Sequence, residues 1–76
     1  MTLKDTSSPR EPPGTVQSLH LEAAVHLEKA LQHHMQAARL HDEGEARQAE
    51  EHAGIAYSNT AHALEVGGRA LNILRW

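Results

Sequence analysis

The residues of this chain best equipped for chemistry are its histidines. There are seven in 76 residues: His20, His26, His33, His34, His41, His52 and His62. Imidazole binds zinc, copper, nickel or cobalt, and it changes charge near neutral pH. Two familiar single-helix arrangements are missing. No two histidines stand three or four apart, so the paired-histidine face of a zinc protease is absent. No glutamate stands three residues before a histidine, so the carboxylate signature of di-iron bundles is absent too. Glu22 and His26, four apart, share a helical face but make one weak pair. A site must therefore be assembled between helices, and it depends on how they meet.

The elements that would position these side chains are two. In the first, the heptad that puts His20 at position a reads His20, Leu27, His34 and His41 at a. Position d holds Ala23, Ala30, Ala37 and Gly44, and position e holds Ala24, Leu31 and Ala38. Leu19, His26, His33 and Leu40 fall at g. Glu22, Glu28, Lys29, Gln32, Gln36 and Arg39 occupy outer positions. Such a wide stripe of small and apolar residues predicts a core-facing helix over about 16–42. Thr15 or Ser18 is suited to cap its start. Residues 42–45, Asp-Glu-Gly-Glu, form the break, with Gly44 fit for the left-handed position after a helix end.

The second helix is expected over about 45–74. The residues Ala46, Ala49, Ala53, Ala56, Thr60, Ala63, Gly67, Ala70 and Leu74 recur every three or four positions, and all but the last are small. They form a seam that another helix can approach closely. Gly67 falls on it, so its expected role is close helix contact. Tyr57 is expected to pack beside the seam over Leu31 or Leu27. Acidic residues near the start, Glu43, Glu45, Glu50 and Glu51, suit the positive end of a helix dipole. The break is too short for anything but an antiparallel neighbour.

The expected fold is therefore all-α: an antiparallel two-helix hairpin over 15–76, preceded by a disordered arm over 1–14 rich in proline and serine. Pairing around Gly44 places His33 or His34 near His52, and His26 near His62. Those five are the candidate metal ligands, for zinc, copper or nickel. A dimer could double each pair into a four-histidine cluster. The alternative is packing, with half-buried rings that hydrogen-bond a neighbour or water, and it takes precedence.

Composition narrows the function classes. There is no cysteine and no phenylalanine, and alanine supplies much of the apolar content. A small scaffold of this kind commonly needs self-association or a metal. Large apolar residues gather at the open end of the hairpin: Val16, Leu19 and Leu21 on the first helix, and Leu64, Val66, Leu71, Ile73, Leu74 and Trp76 on the second. They are the expected self-association surface, and a homodimer forming a four-helix bundle is the expected assembly. No cluster of Lys and Arg argues for nucleic acid, and no apolar run is long enough for a membrane span. No secretory leader is evident, so a cytoplasmic location is expected. Neither a nucleophile elbow nor a phosphate loop is present, and Gly67-Gly68 sits within a helical pattern, so no enzyme and no cofactor are expected.

The stretches His20–Ala24 (HLEAA), His33–Ala38 (HHMQAA), 41–44 (HDEG), Ala49–Ala53 (AEEHA) and Ala61–Ala63 (AHA) resemble those of short His/Ala-rich helical-hairpin proteins of proteobacteria. The resemblance implies the hairpin fold and brings no activity with it. The Gly44 turn and the alanines after it are also similar to one helix pair of a tetratricopeptide array, though one pair cannot build that superhelix. The leading functional reading is a non-enzymatic interaction or structural module acting through self-association, with a protein partner as a further candidate. The alternatives are histidine-based metal binding and a pH-responsive assembly.

Overall fold

A computed structural model describes residues 15–75 of the protein. The expected arm over 1–14 and Trp76 lie outside the described residues, as do the side chains of Ile73 and Leu74. Two helices, α1 over Val16–Asp42 and α2 over Ala46–Arg75, pack against each other as an antiparallel hairpin. At 1.5 Å per residue each is roughly 40 Å long.

Local chemistry fixes the ends. Thr15 is extended and caps α1: its side chain accepts from the Ser18 backbone N–H at 3.0 Å, and the Ser18 hydroxyl donates to the Thr15 carbonyl at 3.1 Å. At the other end Gly44 adopts a φ of 82°, open to glycine at little cost. Its N–H reaches the His41 carbonyl at 3.1 Å, and the Glu45 N–H reaches the Leu40 carbonyl at 2.8 Å. These two bonds make a Schellman motif, which satisfies carbonyls that the helix end would otherwise leave open. Arg39 and His41 lie in the last turn of α1, where positive charge suits the dipole. The first turn of α2 holds no carboxylate, so the expected acidic crowding there reduces to Glu45 at the cap, with Glu50 and Glu51 one turn on.

The seam is a double column. The d residues Ala30 and Ala37 of α1 and Ala49, Ala56, Ala63 and Ala70 of α2 are buried. Beside them run the g residues, with Leu19 and Val66 buried and His26, His33, His52 and Asn59 half-buried. Leu19, Val66 and Ala70 form the main apolar cluster, with Val16 and Ala23 packed against it. The helices thus meet through d and g, and the a and e positions of the expected wide stripe lie largely outside the contact. Leu27 and Leu31, at a and e of α1, are about half exposed. Among the described residues, six of the eight buried apolar residues are alanine. Burying one methyl group contributes about 0.8 kcal/mol, against roughly 1.5–3 kcal/mol for a leucine or valine side chain. The core is therefore thin, and close helix approach is what it offers in exchange.

Two further expectations are corrected. Tyr57 sits at e and is 75% exposed, so it adds little to the packing beside the seam. A Cβ at Gly67 would meet nothing within 4 Å, so this glycine is not required for contact within the hairpin. Gly54, on the outer side of α2, is likewise open. Gly54→Ala should raise stability by about 1 kcal/mol, because it removes backbone freedom from the unfolded chain. Gly44→Ala should lower it by about 1 kcal/mol, because alanine is strained at positive φ. Thermal unfolding followed by circular dichroism reads both, as opposite shifts of several degrees.

Candidate functional site

The d/g seam gives the hairpin two unlike faces. One carries the g column and the residues outside it. Along this column the partners have numbers that sum to 85: Leu19 with Val66, His26 with Asn59, and His33 with His52. Each pair lies seven residues, or two turns, from the next. The column therefore changes from an apolar layer near the open end to polar layers nearer the turn.

The polar layers have defined proton arrangements. Asn59 donates from Nδ2 to the Ile55 carbonyl at 3.0 Å, which turns its Oδ1 outward. That oxygen lies 2.8 Å from His26 Nδ1 and can only accept, so His26 Nδ1 carries the hydrogen. In the neutral ring that arrangement leaves the lone pair on Nε2. In the next layer His33 Nδ1 and His52 Nδ1 are 2.9 Å apart, with the rings stacked at 5.1 Å. One nitrogen must donate and the other accept, so at least one of these rings is neutral while the bond exists.

His62 projects outside the column and joins His26. Their ring centroids are 4.0 Å apart with a 32° tilt. His62 Nε2 also lies 3.4 Å from Glu22 Oε2, both side chains being about half exposed. Glu22, His26 and His62 each offer one ligand atom, and these atoms lie within 4.8 Å of one another. Of the five histidines singled out from sequence, the structure thus places His33 beside His52 and His26 beside His62. His34 stands apart from these pairs: successive helical residues point about 100° apart, so with His33 on the seam His34 turns to the exposed a position. Glu22 was visible through its four-residue spacing to His26 but carried little weight without the cross-helix partner. Asn59 was missed. Its signal was its place in the same g column as His52.

The opposite face carries an apolar groove, beside the exposed a-position histidines His20, His34 and His41. Leu27 of α1 and Thr60, Ala63, Leu64, Gly67 and Leu71 of α2 line an open groove. The Thr60 hydroxyl donates to the Ala56 carbonyl at 2.9 Å, so its polarity is spent within its own helix. Leu64 is 77% exposed and Leu71 is 53% exposed. The expected self-association set is thereby divided. Leu64 and Leu71 lie on the groove. Leu19 and Val66 are buried inside the hairpin, with Val16 packed against them, so these three are intramolecular core and not free surface. Leu21 is exposed, but at position b on the outer side of α1, away from the groove.

Comparison with protein-family models, with curated proteins and with solved structures finds no match for this chain. Among the described residues no helix is long and apolar enough to cross a membrane.

The His33–His52 layer makes a clean test of pairing. His52→Leu should cost about 1 kcal/mol, since it strands a half-buried ring nitrogen. Adding His33→Leu should recover that loss, because the layer then becomes apolar like Leu19–Val66. Urea unfolding of the single and double variants measures the coupling.

Proposed function

We propose that the protein is a non-enzymatic, self-associating helical module in which two hairpins pack through their apolar faces as a four-helix bundle. The observation that supports this reading is the inversion of its packing. Alanines fill the seam, while Leu27, Leu31, Leu64 and Leu71 stand half exposed or more outside it. Covering each of these leucines returns on the order of 1 kcal/mol, which the thin core of a lone hairpin does not supply. The occupant best matched to the face is a second copy. Both helices contribute to the groove, as a bundle interior requires, and its lining is almost wholly apolar. Two-fold pairing of one surface with itself is the commonest way to close such a face. In this arrangement His26, His33, His52 and His62, on the g side, point outward.

Sedimentation at micromolar concentration and neutral pH tests the proposal. The expected species is a dimer, and Leu64→Glu should convert it to monomer with lower helicity. A stably folded wild-type monomer would refute it.

The His33–His52 bond favours a second element, sensitivity of the assembly to acid. Formal charge is −3 with neutral histidines, and seven added protons make it +4. Protonating both rings of the pair sets N–H against N–H and places two positive charges in one layer of the seam. Repeating the sedimentation and dichroism near pH 5 should show loss of mass, helicity or both; unchanged values would remove this element.

A further inference from the structure

We propose that Glu22, His26 and His62 form a site for one divalent late first-row metal ion, zinc by preference, that ties α1 to α2 on the outward histidine face. The first support is geometric. The three residues offer ligand atoms within 4.8 Å of one another, and His62 Nε2 lies 3.4 Å from Glu22 Oε2. Two ligands held at about 2.0–2.1 Å from a tetrahedral ion stand about 3.3 Å apart, so that pair already has the spacing of one edge of the coordination sphere. Two imidazoles and one carboxylate are a donor set that zinc accepts, and nickel, copper and cobalt share the affinity for imidazole.

The second support is the proton arrangement around His26. Asn59 Oδ1 fixes the hydrogen on His26 Nδ1 at 2.8 Å, and the Ile55 carbonyl fixes the Asn59 amide in turn. A neutral His26 held this way has Nε2 as the nitrogen free to ligate. An outer partner on the far nitrogen of a ligating histidine is what metal sites generally use to orient the ring. Asn59 is therefore a positioning residue. Three protein ligands leave a fourth position open to water or to a donor from elsewhere. Glu22 and His26 come from α1 and His62 from α2, so the ion joins the two helices that the alanine seam holds only by close contact. The site goes beyond the proposed self-association and does not require it, because all three ligands belong to one chain.

Titration of the full chain with zinc by calorimetry, and with cobalt by visible absorption, tests the assignment. The expected result is one ion per chain with micromolar affinity, a tetrahedral cobalt spectrum and a higher unfolding temperature in zinc. His62→Ala and Glu22→Gln should each weaken binding at least tenfold, and Asn59→Ala by about 10–100-fold. His34→Ala should leave binding unchanged. Dichroism of the metal-free variants shows that they still fold, and His62→Gln replaces His62→Ala if the latter does not. Binding that is only millimolar, that survives His62→Ala, or that depends on His34 or on the His33–His52 pair instead overturns the proposal. Sedimentation of the metal-free protein distinguishes its failure from that of the dimer.

Discussion

The close approach of two alanine columns is the constraint on which the rest of this structure depends. With Ala30 and Ala37 facing Ala49, Ala56, Ala63 and Ala70, the helices can lie near the short end of the usual 8–10 Å interaxial range. Alanine is also the best helix former, so the same residues that allow contact lengthen the helices that make it. The cost is area. Methyl groups bury little, and the hairpin gains few of the deep apolar contacts that hold larger domains together. Everything else can be read as a response to that shortage. The end caps remove open backbone groups, the g column adds specific side-chain pairs, and the leucines beside the seam remain for a second layer of packing.

The g column limits the ways the helices can align. Alanine layers are nearly interchangeable, so a shift by one heptad would cost the d column little. It would cost the g column more: a shift one way would set Leu19 against Asn59, and a shift the other way would set His26 against Val66, in place of the observed Leu19–Val66 and His26–Asn59 pairs. Half-buried polar groups of this kind give modest net stability, and their better-attested role is to choose one register over another. The polar layers also direct each lone pair, which is how a packing device and a ligand site come to share residues.

Much of this was legible in the sequence, and the failures have a common cause. The two helices, the glycine break and the antiparallel pairing follow from long periodic segments and a single strong turn signal. Which flank of each helix faces the other did not follow. Alanine at d is compatible with a seam leaning either way, and hydrophobicity favoured Leu27 and Leu31 over His26 and His33. The structure leans towards the histidines. That one choice decides the rest: it exposes Tyr57, opens space around Gly67, separates His34 from His52 and draws Leu19 and Val66 inward. Glu22 and Asn59 gained their meaning only through neighbours on the other helix.

The turn has a consequence out of proportion to its exposure. Glu43, Gly44 and Glu45 bury nothing, and on composition alone such a loop should accept insertions freely. Here three residues separate the helices, and each residue of α2 adds 100° of rotation. One extra residue that lengthened α2 at its start would carry Ala49 off the seam and bring a different column against α1. The histidine layers and the leucine groove would then lose their assigned sides. Length at this solvent-facing bend is thus as tightly bound as volume in a conventional core, and variation among related chains should appear there as substitution, with insertion confined to places that do not set the phase of a helix.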